Sequence, residues 1–419
     1  MGTARFTSRS LRAEIRSTDG PDYGIEFDQP LDDYISEAEQ IIAEPHSFLS
    51  NFNRFQVGPR QAVSYSNYST VLALRILGTY LKRRYALQSD TRHTITRGII
   101  QALSDSSEMN ILRRDISSFY EHVPTEAVRD ELLYRDVLPP RARRMLEAFF
   151  TAHCQDSVGL PRGLGLSAIL SEYVLRPVDQ SIRLIPGVYR YHRFVDDIIL
   201  FTSGDAQNIS SELEKLLPSP LKLNRSKSID ISLERPSGDI DRREYFEYLG
   251  YRYTINLQHS REKPRKISVT IAKSKIDRIK TRLLLSAMAF SRGGRFDHFH
   301  ARIRYLAGNY KFQKRRPLAG SGRSMVRSGI FYNYRYCGEY QGAARSTHPM
   351  SELRQLDWFL QNTVLGSRAE IGRKVLAKLN TRQLAALRKM SFAQGHSKIF
   401  ATGFKSTDVK LIKQIWKNV

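Results

Sequence analysis

Only two of the 419 residues are cysteines, Cys154 and Cys337. Such a pair cannot build a disulfide framework, and no cysteine–histidine cluster has the spacing of a zinc site. No run of about 18 apolar residues occurs, so no membrane partner is expected. The opening segment, MGTARFTSRSLRAEIRSTDG, has arginines but no apolar stretch of a secretory signal, so a cytoplasmic protein is expected. Negative charge is the third shortage: 42 acidic residues face 66 Lys and Arg, a formal net charge of +24. Core-forming residues are not short. At 41% hydrophobic and 10% aromatic, the chain is excluded from the disordered class and is long enough for two or three packed domains.

The positive excess is local. Arg261 to Arg345 holds 21 basic residues and four acidic ones, which supplies +17 of the +24. Tyr305, Tyr310, Phe312, Phe331, Tyr332, Tyr334 and Tyr336 interleave with it. Basic side chains release counterions from phosphates and aromatic faces stack on unpaired bases, so this segment predicts a nucleic-acid partner. A solvated basic face or a surface for anionic lipid is the plainer alternative.

Periodicity divides the chain coarsely. LDDYISEAEQIIAE predicts a helix after an irregular N-terminal lead, and a turn-rich basic stretch follows before another helix. Between 97 and 200, helices alternate with the strand NILRRD, a Gly-rich turn and a hairpin, which predicts an α+β domain with an antiparallel sheet. EYFEYLGYRYTI and KISVTI predict further strands, KSKIDRIKTRLLLSAMAF a helix, and the remainder a mainly helical region.

The informative carboxylates are Asp196 and Asp197, set in YRYHRFVDDIILF between two β-favouring arms. Neighbouring side chains on a strand point to opposite faces, so adjacent aspartates converge only at a turn. The run IILF marks a buried strand, and like charges beside it are costly unless a cation neutralises them. Asp115 closes a second short strand. Three oxygen donors without soft ligands suit hard divalent cations such as Mg²⁺. Any one of these aspartates alone is more often solvated or structural.

The order of motifs across roughly residues 55–285 resembles the palm of reverse transcriptases. RRDISSFYEHV resembles the first palm motif, which makes Asp115 a metal ligand, the Ile116 carbonyl another, and Phe119 the steric gate against a ribose 2′-hydroxyl. GLPRGLGLSAILSEYVL resembles the second, placing Arg162 and Gly163 beside the nascent pair. FVDD resembles the [FY]-x-D-D third motif, with Asp196 and Asp197 as ligands. LKLNRSKS resembles the fourth, with Lys227 near the triphosphate, and FEYLGYRY the primer grip at Tyr248, Leu249 and Gly250. Arg60, Arg75 and Arg97 would lie in the fingers, where each is a candidate triphosphate or template contact.

The resemblance implies a right-hand fingers–palm–thumb polymerase. Its expected divisions are an N-terminal extension (1–50), fingers and palm (51–260), a thumb (261–295) and a basic helical C-terminal domain (296–419). The implied reaction is RNA-directed DNA synthesis from dNTPs with two Mg²⁺ ions, Mn²⁺ being an alternative cation, with Asp115, Asp196 and Asp197 catalytic. Arg162 and Glu172 stand where most reverse transcriptases have glutamine and asparagine. Those departures resemble the bacterial defence-associated, abortive-infection group, which implies antiviral defence, a non-coding RNA template, a DNA product, and a partner subunit or homo-oligomer. Alternatives at this stage are template-independent or protein-primed DNA synthesis by the same site, an RNA-dependent RNA polymerase, and a catalytically retired RNA-binding scaffold.

Overall fold

The computed structural model describes residues 6–416 apart from 17–18, 20–22, 24, 26–30, 156–158, 235–241, 258–262, 315–323, 347–350, 399–400 and 404–405. Parts of the expected N-terminal extension and of the basic 261–345 segment therefore lie outside the described residues.

The fold is α+β, with mainly antiparallel sheets. After a short hairpin of β1 (Asn53–Val57) and β2 (Arg60–Ser64), the main sheet comprises β3 (Asn110–Asp115), β4 (Val188–Phe194), β5 (Asp197–Thr202) and β6 (Ile229–Ser232). Its order is β4-β5-β3-β6, every pairing antiparallel. Strand side chains alternate between faces. Leu112, Ile198 and Leu200 accordingly enter one core, while Ile111, Ile199 and Phe201 enter another. A sheet covered on both faces needs an unbroken apolar run, which is the reason for IILF.

The first core is filled by helices Asp32–Ala43, Tyr68–Arg84, Pro140–His153 and Gly165–Ile182. The second holds helix Arg92–Ser104 and a second sheet of β7 (Arg243–Tyr248), β8 (Tyr251–Asn256) and β9 (Lys266–Ile271). Helix Lys273–Ser291 packs there too, its inward stripe being Ile276, Ile279, Leu283, Ala287 and Phe290. Among the described residues, no helix is long and apolar enough to cross a membrane.

One expectation changes: the turn-rich stretch before Tyr68 is the β1–β2 hairpin, closed by Val57 opposite Arg60. The region after 296 is mainly helical, with short strands among the helices. Strands β10 (Asn309–Lys314) and β11 (Ser324–Gly329) form a small sheet with the late strand Ala401–Gly403, while β12 (Gly338–Gln341) pairs with β9 and extends the second sheet. A four-residue strand is stabilised by the edge it joins rather than by its own pattern, so periodicity could not announce it.

Packing of the first core has a pH signature. His153 Nε2 lies 2.6 Å from the Tyr65 hydroxyl, which donates to the Leu49 carbonyl at 2.8 Å. With the phenol proton committed, the ring is the neutral tautomer that donates through Nε2. Burial, and then Arg54, pull the His153 pKa down to about 4. A base depressed in the folded state binds its proton more readily when unfolded. Its stabilising effect is therefore full above the unfolded value of about 6.5 and is lost as pH falls toward the folded one. Wild type is expected to lose about 1–2 kcal/mol more than His153→Gln between about pH 7 and 4.5, read by chemical denaturation at each pH.

Candidate active site

Strands β4 and β5 are joined by a two-residue loop, Val195-Asp196, closed by Phe194 opposite Asp197. Val195 has φ +61, unusual for a β-branched residue and costing about 1–3 kcal/mol unless its surroundings impose it. They do. Arg193 donates to the Val195 carbonyl at 2.8 Å, and its guanidinium also meets Glu172 at 2.8 and 3.1 Å and Asp179 at 2.7 and 2.8 Å. Glu172 and Asp179 lie seven residues apart on helix Gly165–Ile182, two turns along one face. Glu172, a departure from the resembled motif, thus braces the loop that carries Asp196.

The ladder sets Asp115 directly opposite Asp197, and the Ile116 N–H donates to the Asp196 carbonyl at 3.1 Å. The three aspartates therefore share one end of the sheet. Burial pushes the Asp196 carboxyl above its ordinary value, and the charges of Asp115 and Asp197 add to that. Like charges opposed across a ladder destabilise it, so each needs a counter-cation. Asp115, buried at 7% exposure, receives Lys227 Nζ at 3.0 and 3.2 Å and Asn224 Nδ2 at 3.3 Å. The loop bearing Lys227 is held by the Asn224 N–H on the Asp115 carbonyl (2.7 Å) and the Ser117 N–H on the Lys222 carbonyl (2.8 Å). The Ile116 carbonyl takes no part in those two bonds.

Asp197 is differently placed. Both its oxygens accept from Arg113, at 3.0 and 3.1 Å. Of the three aspartates at this end of the sheet, Asp115 carries an ion pair with Lys227 and Asp197 a bidentate one with Arg113. Among the described residues, no group of three or more His, Cys, Asp or Glu side chains gathers to hold a metal. Two carboxylates with backbone oxygen still suit Mg²⁺, which commonly keeps waters and takes its remaining ligands from substrate phosphates.

Phe119, the expected steric gate, is 1% exposed and belongs to the first core. Tyr120 is the half-buried neighbour. Burial raises its pKa, and Asp196, Glu172 and Arg162 all act on its hydroxyl electrostatically. The Arg162 guanidinium lies 5.1 Å from the Tyr120 ring and is held to Glu121, one bond measuring 2.9 Å. Gly163 has φ +94, and a Cβ there would stand 2.4 Å from the Val63 carbonyl, so only glycine allows this turn to pass β2.

Tyr248, Leu249 and Gly250 form the β7–β8 turn, with φ +48 at Leu249 and +79 at Gly250. Tyr248 is 1% exposed and donates to the Asp197 carbonyl at 2.7 Å, which ties this turn to the aspartate strand. Arg92 donates to the Leu249 carbonyl at 2.7 Å. Arg97 is exposed on helix Arg92–Ser104, and no described hydrogen bond or ion pair joins it to the aspartates. Arg75 is structural, paired with buried Asp19 at 2.6 and 2.8 Å. Arg60 acts electrostatically on Glu121, beside Arg162.

Arg113, Arg193, Tyr120 and Asn224 were not singled out from sequence. A signal existed for the arginines, because RRD and YHRFVDD place cations on strands next to the carboxylates they neutralise.

No protein-family model and no curated protein matches the chain. Among solved structures, it is similar to telomerase from Candida albicans, solved in complex with a TWJ fragment of telomeric RNA, at 10% identity and a TM-score of 0.36. The alignment covers 82% of this chain and 53% of that one, so this chain spans about half the telomerase length. The likeness is slight, and the site stands on its own geometry.

Proposed function

We propose that the chain is a template-copying nucleic-acid polymerase of the reverse-transcriptase kind, arranged as fingers and palm over 51–260, a thumb over 261–295 and a basic C-terminal domain over 296–419. The observation that carries the reading is the meeting of Asp115 and Asp196 at one end of a doubly buried antiparallel sheet, with the Ile116 backbone beside them. When bound there, Mg²⁺ (or Mn²⁺) would supply Lewis-acid activation of an attacking hydroxyl and neutralise the departing pyrophosphate. Asp115, Asp196 and the Ile116 carbonyl are the groups to hold it.

The remaining groups position the nucleotide. Lys227, now paired with Asp115, would be the cation to meet triphosphate oxygens were a divalent cation to take that carboxylate. Arg162 presents charge above Tyr120, whose ring flanks the sugar. The turn at Tyr248–Gly250 supports the growing end. The basic 261–345 segment favours a nucleic-acid partner, and an RNA template, a DNA product and a role in antiviral defence are the readings that the motif resemblance adds.

Primer extension on a defined RNA template tests this reading, with the products sequenced. The wild-type protein is expected to add dNTPs complementary to the template. Tyr120→Ala is expected to raise relative ribonucleotide use by about tenfold to a hundredfold. Products unrelated to the template would indicate untemplated synthesis, and no addition at all would leave a nucleic-acid-binding scaffold.

A further inference from the structure

Asp115 and Asp197 face each other across the ladder, yet their counter-cations are unlike. Lys227 is a single ammonium, its side chain 54% exposed, on the short loop after Asn224. Arg113 is 24% exposed and fixed on β3 itself. It pairs directly with Ile199, so it lies diagonal to Asp197, the geometry in which a long side chain spans to the next same-face residue. Beyond its two bonds to Asp197, Arg113 donates to the Glu247 carbonyl at 3.1 Å and lies 5.6 Å from the Tyr248 ring centroid. Tyr248 in turn donates to the Asp197 carbonyl. The Glu247 carboxylate accepts the Lys273 N–H at 2.9 Å, at the first residue of helix Lys273–Ser291.

We propose that Arg113 is a positioning residue that withholds Asp197 from the metal-binding pair and locks the aspartate strand to the Tyr248–Gly250 turn and the helix beginning at Lys273. Asp115 is the releasable carboxylate, because its partner is a single ammonium on a side chain 54% exposed. Asp197 is the anchored one, because its partner is forked and held at two further points. The adjacent aspartates thus divide their labour: Asp196 offers its carboxylate to the cation, while Asp197 transmits the position of the neighbouring sheet. This inference rests on the polymerase reading for its purpose, but not for its test.

The test is Mn²⁺ binding to the full chain, titrated by electron paramagnetic resonance, with thermal unfolding followed on the same samples. Asp196→Asn is expected to weaken Mn²⁺ by about tenfold or more, whereas Asp197→Asn shifts it by about twofold or less. Arg113→Met frees a carboxylate beside the pair and is expected to tighten Mn²⁺ several-fold. Arg113→Met with Asp197→Asn returns binding to the wild-type value, a non-additivity that a merely structural arginine would not show. Arg113→Lys, which keeps the charge but loses the fork, is expected to fall between wild type and Arg113→Met. Equal weakening by Asp196→Asn and Asp197→Asn, or an Arg113→Met variant that folds and binds Mn²⁺ as wild type does, overturns the proposal. Failure of primer extension with this binding pattern intact would instead strike the polymerase reading.

Discussion

Asp196→Asn is expected to lower the rate of nucleotide addition by about 10³-fold, some 4 kcal/mol of barrier, while leaving the protein at least as stable as wild type. The two halves of that expectation share one cause. Asp196 sits half-buried beside Asp115 and Asp197, and its carboxyl is pushed toward the neutral form. A carboxyl whose folded pKa is raised costs stability wherever it is ionised, so at neutral pH the native state carries an unfavourable charge. Asparagine removes that charge and keeps the shape. Under the proposed function it also removes the oxygen anion that a divalent cation would take, and with it the main electrostatic support of the reaction. Steady-state extension rates beside melting temperatures measure both halves. A variant that is inactive because it is unfolded would contradict the account, and so would one that keeps wild-type activity.

Arg193→Met is expected to destabilise the protein by about 3–5 kcal/mol, the effect of removing one member of a buried ionic network. The Arg193 side chain is 6% exposed, and its partners Glu172 and Asp179 are 15% and 19% exposed. Without the guanidinium, two carboxylates remain facing each other with little water, and the Val195 carbonyl loses its donor. The loop then has no reason to keep a β-branched residue at positive φ. Activity should fall together with stability, because the same loop carries Asp196. Urea denaturation gives the stability. A loss below about 1 kcal/mol would mean that the network contributes no more than a surface pair.

Much of the site was legible because its motifs are local. FVDD declares a hairpin tip through two β-rich arms, RRDIS a strand end, and PRGLG a turn that only glycine can take past β2. The antiparallel sheet and most long helices followed from periodicity. What escaped was relational. Nothing in RRDIS tells that Arg113 will clamp Asp197, since the pairing depends on the register between β3 and β5. The resemblance singles out Phe119, but the residues after Asp115 leave the strand, and that change of direction puts Phe119 in the core and Tyr120 within electrostatic reach of Asp196. Glu172 looked like a departure from a motif. It is half of a brace whose other half lies on a different element. The edge strand β12 escaped for a further reason: it is too short to carry a period of its own.

The site is also remote from itself along the chain. Arg113 meets Asp197 across 84 residues, and Lys227 meets Asp115 across 112. Both neighbours of β3 in the sheet arrive only with β5 and β6, so a ribosome that has finished the first 150 residues or so holds Asp115 on a strand without a ladder. No short-range contact can nucleate this centre, and closing loops of that length precedes any return from the pairing. During synthesis the nascent protein can bury its first helices early, but Asp115 meets neither Asp197 nor Lys227 until β5 and the loop before β6 have emerged.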